Sequence, residues 1–173
     1  MPVDRSTISG VAPGAAALRV LHVHRRAGAA AARRLVDHER GLGWDARHSS
    51  VAALVGRNRA PAAQVIVLHG RLAGMAGRLV VRGSRATVLV PRPGTWCTGR
   101  GPVAAVARLW ERCAGPWASA VLLSSPAEAA RGVAAHVWVP PFVVGDSLEL
   151  AAAVLTRAQA FGRPSAGLTH GDG

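Results

Sequence analysis

Short apolar runs bounded by glycine, proline or polar residues constrain this chain most, because each has the length of one buried strand. They fall at residues 18–24, 65–68, 87–90, 120–123 and 137–139. Val65, Ile66, Val67 and Leu68 form the clearest of them and lead straight into His69 and Gly70. A weaker strand and its exit occupy 45–54. Between these runs lie Ala- and Arg-rich stretches with helical character, at 28–40, 71–82, 103–113 and 126–131. In the third of them, Val103, Val106, Ala107 and Trp110 share one helical face. Gly74 and Gly77 weaken the expectation of a helix at 71–82, because glycine is a poor helix former. Runs apolar throughout rather than alternating, separated by helices, predict a parallel sheet covered on both faces. The expected fold class is therefore α/β: a Rossmann-like parallel sheet of about six strands in a single domain.

Residues 1–17 read as a flexible lead-in, 18–146 as the Rossmann-like domain, and 147–173 as a C-terminal helix and tail. Asp146, Ser147 and Glu149 have the character of a capping box, which predicts a helix from Ser147 to about Phe161.

Composition narrows the partners. All 21 basic residues are arginine against nine acidic ones, a net charge of +12. Lysine and tyrosine are absent, the pattern of coding bias in a GC-rich bacterial genome. A basic chain attracts phosphates on nucleic acid, lipid or nucleotide. The arginines are scattered, with only Arg25–Arg26 and Arg33–Arg34 adjacent, and no aromatic interleaving accompanies them. Nucleic-acid binding is accordingly disfavoured, whereas peripheral contact with a membrane or an anionic ligand stays open beside the bland reading of solvated arginine faces. Cys97 and Cys113 do not make a disulfide framework or a zinc site. With no convincing secretory signal and no apolar stretch of spanning length, the expected location is cytoplasmic, with room for peripheral contact at the inner face of the membrane.

In an open parallel sheet, ligands bind beyond the carboxyl ends of the strands, where the order of connection reverses. The residues following each strand are therefore the candidate site: His24 and Arg25 through Gly28, His69 and Gly70, the stretch from Arg92 to Trp96, and Ser124 and Ser125. Gly28 is either a simple turn glycine or part of a helix N-terminus that offers free N–H groups to an anion or hydroxyl. His69 is either a base or hydrogen-bond partner for a ligand, or a structural histidine. His22 and His24 share one face of a strand, but without a third ligand they predict no metal site. Neither a G-x-G-x-x-G nor a G-x-x-x-x-G-K-[ST] loop occurs, so no nucleotide cofactor is expected. Hydrolase signatures are missing as well.

The order of these pieces resembles the N-terminal, acceptor-side domain of family 4 glycosyltransferases of the GT-B fold. Residues 88–96 end in Thr95 and Trp96 where that family carries a Thr-Pro-His-Gly-Trp-like turn. Leu109, Trp110, Glu111 and Arg112 match a helix with a central Glu-Arg pair. Residues 118–125 match a strand ending in serine, with Glu128 a few residues on, and 137–146 match a Val-Pro-Pro linker. Gly41, Leu42, Gly43 and Trp44 resemble a turn in the family's opening. The resemblance implies an acceptor-side half of a sugar transferase whose nucleotide-sugar donor is bound elsewhere, hexosyltransferase in type. A donor-domain partner chain or a homo-oligomer and a glycan or lipid-linked acceptor are its implied partners. It implies acceptor contacts from Gly28, His69, Arg92 and Trp96, with Arg25, Ser124 and Glu128 in secondary roles. Arg92 stands where the family has a histidine, and arginine stays protonated, so pairing with an anion replaces general-base work there. The alternative is a non-catalytic glycan- or anion-binding module, a pseudoenzyme or truncated remnant.

Overall fold

The computed structural model describes residues 17–56, 62–82, 84–91, 101–134, 142–144 and 148–161. Six strands form one parallel sheet in the order β2-β1-β3-β4-β5-β6. They are β1 (Arg19–His24), β2 (Asp45–Ser50), β3 (Val65–His69), β4 (Ala86–Val90), β5 (Ala120–Leu123) and β6 (Phe142–Val144). The helices are α1 (Ala29–Gly41), α2 (Val51–Gly56), α3 (Arg71–Val81), α4 (Pro102–Ala114), α5 (Pro126–Ala134) and α6 (Leu148–Phe161). The fold class expected from the sequence is the one observed: a single α/β domain with an all-parallel sheet between helical layers.

The layers follow from the two-residue period of each strand. Val20, Val65, Val67, Ala86, Val88 and Leu122 face one side, where they pack with Val36 of α1 and with Ala151, Val154 and Leu155 of α6. Val23, Ile66, Leu68, Leu89, Val121 and Leu123 face the other, against Leu54 of α2 and Ala73 and Val81 of α3. Each fully buried aliphatic side chain contributes roughly 1.5–3 kcal/mol relative to exposure, so the two faces together supply most of the driving force. Because α6 completes the first layer, the C-terminal helix belongs to the same core as the sheet.

Several local expectations change. The exit of the second strand is a helix: Ser50 Oγ accepts a hydrogen bond from Ala53 N at 3.1 Å, which caps α2. Gly74 and Gly77, far from weakening α3, let it lie against the sheet. A Cβ at Gly74 would stand 2.6 Å from Leu89 Cδ1, and one at Gly77 would run into Leu68 Cδ2. The stretch 142–144, at the end of the expected linker, pairs with β5 through Val121–Phe142 and Leu123–Val144. Phe-Val-Val has high strand propensity, and the prolines at 140 and 141 precede the paired residues, as an edge strand permits. The strand expected at 137–139 and the capping box at 146–149 fall at positions outside the described residues or described only by backbone. Helix α4 forms where expected, but Val103 and Val106 are 74% and 67% exposed. No described helix is long and apolar enough to cross a membrane.

Candidate active site: a carboxylate–histidine–histidine chain at the switch point

Strand β1 is flanked by β2 on one side and β3 on the other. The connection from β1 runs outward through α1 to β2, and the chain then returns across β1 to β3. This reversal opens a crevice between the carboxyl ends of β1 and β3, the place where open parallel sheets take ligands. Gly28 and the first turn of α1 lie above it. Val23 is in register with Leu68, so His24 and His69 end the two strands side by side.

The strand period places His22 and His24 on the same face as Val20, and His69 on the same face as Val65 and Val67. That is the α1 side. From the helix, Ala32, Val36 and Glu39 form the buried stripe at i, i+4 and i+7. Glu39 thus enters the core with no solvent exposure and meets His22, which is equally buried. His22 Nε2 donates to the Glu39 carboxylate, at 2.8 Å from Oε2 and 3.0 Å from Oε1. The other nitrogen of the same ring, Nδ1, lies 2.9 Å from His69 Nε2. The two rings are stacked, with centroids 5.2 Å apart. Three side chains from α1, β1 and β3 therefore make one continuous hydrogen-bonded chain, ending at His69 Nδ1 on the side away from Glu39.

Two features set the charge state. Burial, with smaller contributions from the neighbouring His22 and His24 rings, pushes the His69 pKa down from 6.5 to about 3. His69 is accordingly neutral at physiological pH. His24 Nδ1 lies 3.0 Å from the Arg25 carbonyl oxygen and donates to it, so that in the neutral ring Nε2 is the acceptor nitrogen. That Nε2 is buried and has no hydrogen-bond partner. His24 also tilts against His48 of β2 at 5.5 Å between centroids, so four histidines from three adjacent strands gather on one face. No group of three or more His, Cys, Asp or Glu side chains among the described residues is arranged to hold a metal ion.

Of the residues expected from sequence, the structure brings together Gly28, His69 and Arg25. A Cβ built on Gly28 would be 3.5 Å from His24 Cβ and 3.7 Å from His69 Cβ, so Gly28 covers both histidines. Its backbone is helical, at φ −101°, and its N–H is already used by the Arg25 carbonyl at 2.8 Å. Neither positive φ nor steric closeness demands a glycine at that position. Arg25 exposes its side chain and contributes its carbonyl. Ser124 and Glu128 lie at the end of β5, two strands away from β3. There Ser124 Oγ donates to Glu128 Oε2 at 3.0 Å, and Ser125 caps α5 by accepting from Glu128 N at 3.3 Å. This pair serves a helix start and stands apart from the histidines. Arg92 and Trp96 lie outside the described residues. Sequence reasoning missed Glu39 and His48. The available signal for Glu39 was a carboxylate on the apolar stripe of α1, in line with Ala32 and Val36.

An open cleft of about 480 Å³ lies elsewhere, lined by Arg19, Leu21, Arg47, Ser49, Leu54 and Ala63 among others. It borders the α2 side of β1 and β2 and contains none of Glu39, His22, His24 or His69. The switch-point crevice has the chemistry, and the cleft is a surface groove beside an edge strand.

No family model matches the chain, and no curated protein matches it. Among solved structures it is similar to a CheY-like response regulator receiver domain protein from Methanospirillum hungatei JF-1. That similarity has 7% identity and a TM-score of 0.44, over 85% of this chain and 97% of the other. These findings correct the resemblance drawn from sequence. No family model and no curated protein matches, and no glycosyltransferase is among the matches, so the acceptor-half reading, its glycan-binding alternative and the link to glycan biosynthesis are withdrawn. The physical reason is that short apolar strands alternating with helices are common to every doubly wound domain. Their order alone therefore carries little family information.

Proposed function

We propose that the protein is an acid–base catalyst that moves a proton to or from a small polar molecule held at the carboxyl ends of β1 and β3. The observation that carries this reading is the buried chain Glu39–His22–His69, ending at the switch point. With both rings neutral, Glu39 accepts from His22 Nε2–H, and His22 Nδ1 accepts from His69 Nε2–H. His69 Nδ1 is then a lone pair. A proton arriving there releases the Nε2 proton to His22, which becomes an imidazolium beside the Glu39 carboxylate. The positive charge comes to rest in a buried pair, and His69 is neutral before and after the transfer. A depressed His69 pKa is therefore compatible with proton uptake, because the stored proton belongs to His22. Run backwards, the same chain delivers a proton from His69 Nδ1. The bare His24 Nε2 beside it supplies an acceptor for a ligand hydroxyl or amine.

Incubation with a mixture of cellular small molecules in deuterated water tests this, with mass spectrometry following deuterium content and mass. The expected result is one or a few compounds altered by the wild-type protein and left unaltered by Glu39→Gln or His69→Gln. If no compound changes, or if the variants act as well as the wild type, the catalytic reading is wrong. Two cysteines without a disulfide framework support a cytoplasmic setting.

A further inference from the structure

The outer side of α3, α4 and α5 differs from the rest of the described surface in two respects. Eight large hydrophobic side chains are exposed, and six of them lie here: Leu72 and Leu79 on α3, Val103, Val106 and Leu109 on α4, and Val133 on α5. These helices, with the residue that ends α3, expose Arg71, Arg82, Arg112 and Arg131. Their two carboxylates are both withdrawn: Glu128 is buried, and Glu111 is engaged by Arg78 Nη2 at 2.8 Å.

Helix α4 concentrates the effect. At 100° per residue, Val103, Val106, Leu109 and Cys113 span about 120° of its circumference. The stripe is turned outward, with Val103, Val106 and Leu109 exposed by 74%, 67% and 61%. The side held against the body carries Ala104, Ala107 and Glu111 instead, half-buried. Anchoring comes from Glu111 to Arg78 and from Trp110, packed edge-on to Trp117 at 6.1 Å between centroids. A helix that exposes its valines and leucine and buries its alanines is arranged for an apolar surface outside the chain.

From this we infer that the α3–α5 side docks on an anionic lipid bilayer, with the Val103–Val106–Leu109 stripe entering the interface. Charge complementarity selects this occupant. A net charge of +12 opposes pairing with a second copy of the chain. Exposed arginines surrounding an apolar stripe, with no exposed carboxylate among the described residues of these helices, match anionic headgroups over acyl chains. The inference is independent of the proton-transfer reading.

Co-sedimentation with vesicles tests it, using phosphatidylcholine alone or with about 30% phosphatidylglycerol, at low and high salt. Binding is expected only to the anionic vesicles, weakening with salt, and accompanied by a blue shift of tryptophan fluorescence. The double substitution Val106→Glu with Leu109→Glu is expected to weaken binding by about tenfold or more. Both sites are solvent-exposed, and an unchanged circular dichroism spectrum and melting temperature would show that the fold is kept. Absence of binding to anionic vesicles at low salt overturns the inference and leaves an acidic protein as the occupant to seek. Binding that survives the double substitution in a folded variant overturns it equally, since arginine attraction alone would then suffice.

Discussion

Acid titration of the fold, with and without His69, isolates the neutral imidazole at the end of the buried chain. In the unfolded chain His69 takes up a proton near pH 6.5, whereas in the folded protein it does so only near pH 3. Between those values the unfolded state binds one more proton at this site, so stability falls as pH falls. The contribution is fully present above 6.5 and is lost progressively down to about 3. Each pH unit in that window corresponds to about 1.4 kcal/mol, so at pH 5 the loss is about 2 kcal/mol. A domain of this size has on the order of 5–15 kcal/mol in total, which makes the effect large enough to measure. The perturbation is His69→Gln, which keeps a hydrogen-bonding side chain but cannot titrate. At neutral pH the variant should be destabilised by about 1 kcal/mol through the altered bond to His22, an offset that does not depend on pH. Urea unfolding at half-unit steps from pH 7.5 to pH 4 gives the slope of stability for each protein. The wild type should be steeper than the variant by close to one proton. Parallel slopes would mean that His69 is protonated as readily in the fold as outside it, and the neutral-relay argument would fail.

Other consequences concern packing. Replacing Gly77 by Ala forces a Cβ against Leu68; the overpacking outweighs the helix gain and should cost about 1 kcal/mol net, read from the urea midpoint. Gly41→Ala, with nothing within 4 Å of the new methyl, should instead be neutral or stabilising by a few tenths of a kcal/mol. Arg78→Met leaves Glu111 without its partner, and because Glu111 is 15% exposed the loss should be about 2–3 kcal/mol, less than for a fully buried pair. Adding Glu111→Leu should restore most of the melting temperature lost. Gly28→Ala should stay within about 1 kcal/mol of the wild type, since its Cβ meets His24 and His69 at ordinary contact distance. A collapse of the fold in that variant would show that the crevice is tighter than described.

The sequence by itself determined the layers. Runs such as Val65 to Leu68 are apolar on both strand faces, and only a parallel sheet covered on both sides buries such a run completely. The crevice was legible for the same reason: residues that follow strands gather at one edge, which is how His69, Gly28 and Arg25 were singled out. What the sequence could not decide was which side chains meet there. Glu39 is 17 residues from His22, and His69 is 47 residues from it. No local pattern joins them; the sheet order and the facing of α1 do. Likewise, the stripe on α4 is plainly amphipathic in sequence, but periodicity defines a face without saying which way it points. Tertiary structure turned it outward, with Glu111 reaching Arg78 on the inner side beside the half-buried Ala104 and Ala107. Ser124 and Glu128 owe their place to the same contrast: a strand end and a resemblance singled them out, and the structure sets them at the start of α5, apart from the histidines. Period and propensity act between neighbours in the chain, whereas a site is assembled by neighbours in space. That difference is why the fold could be read from the residues, while the buried proton chain required the coordinates.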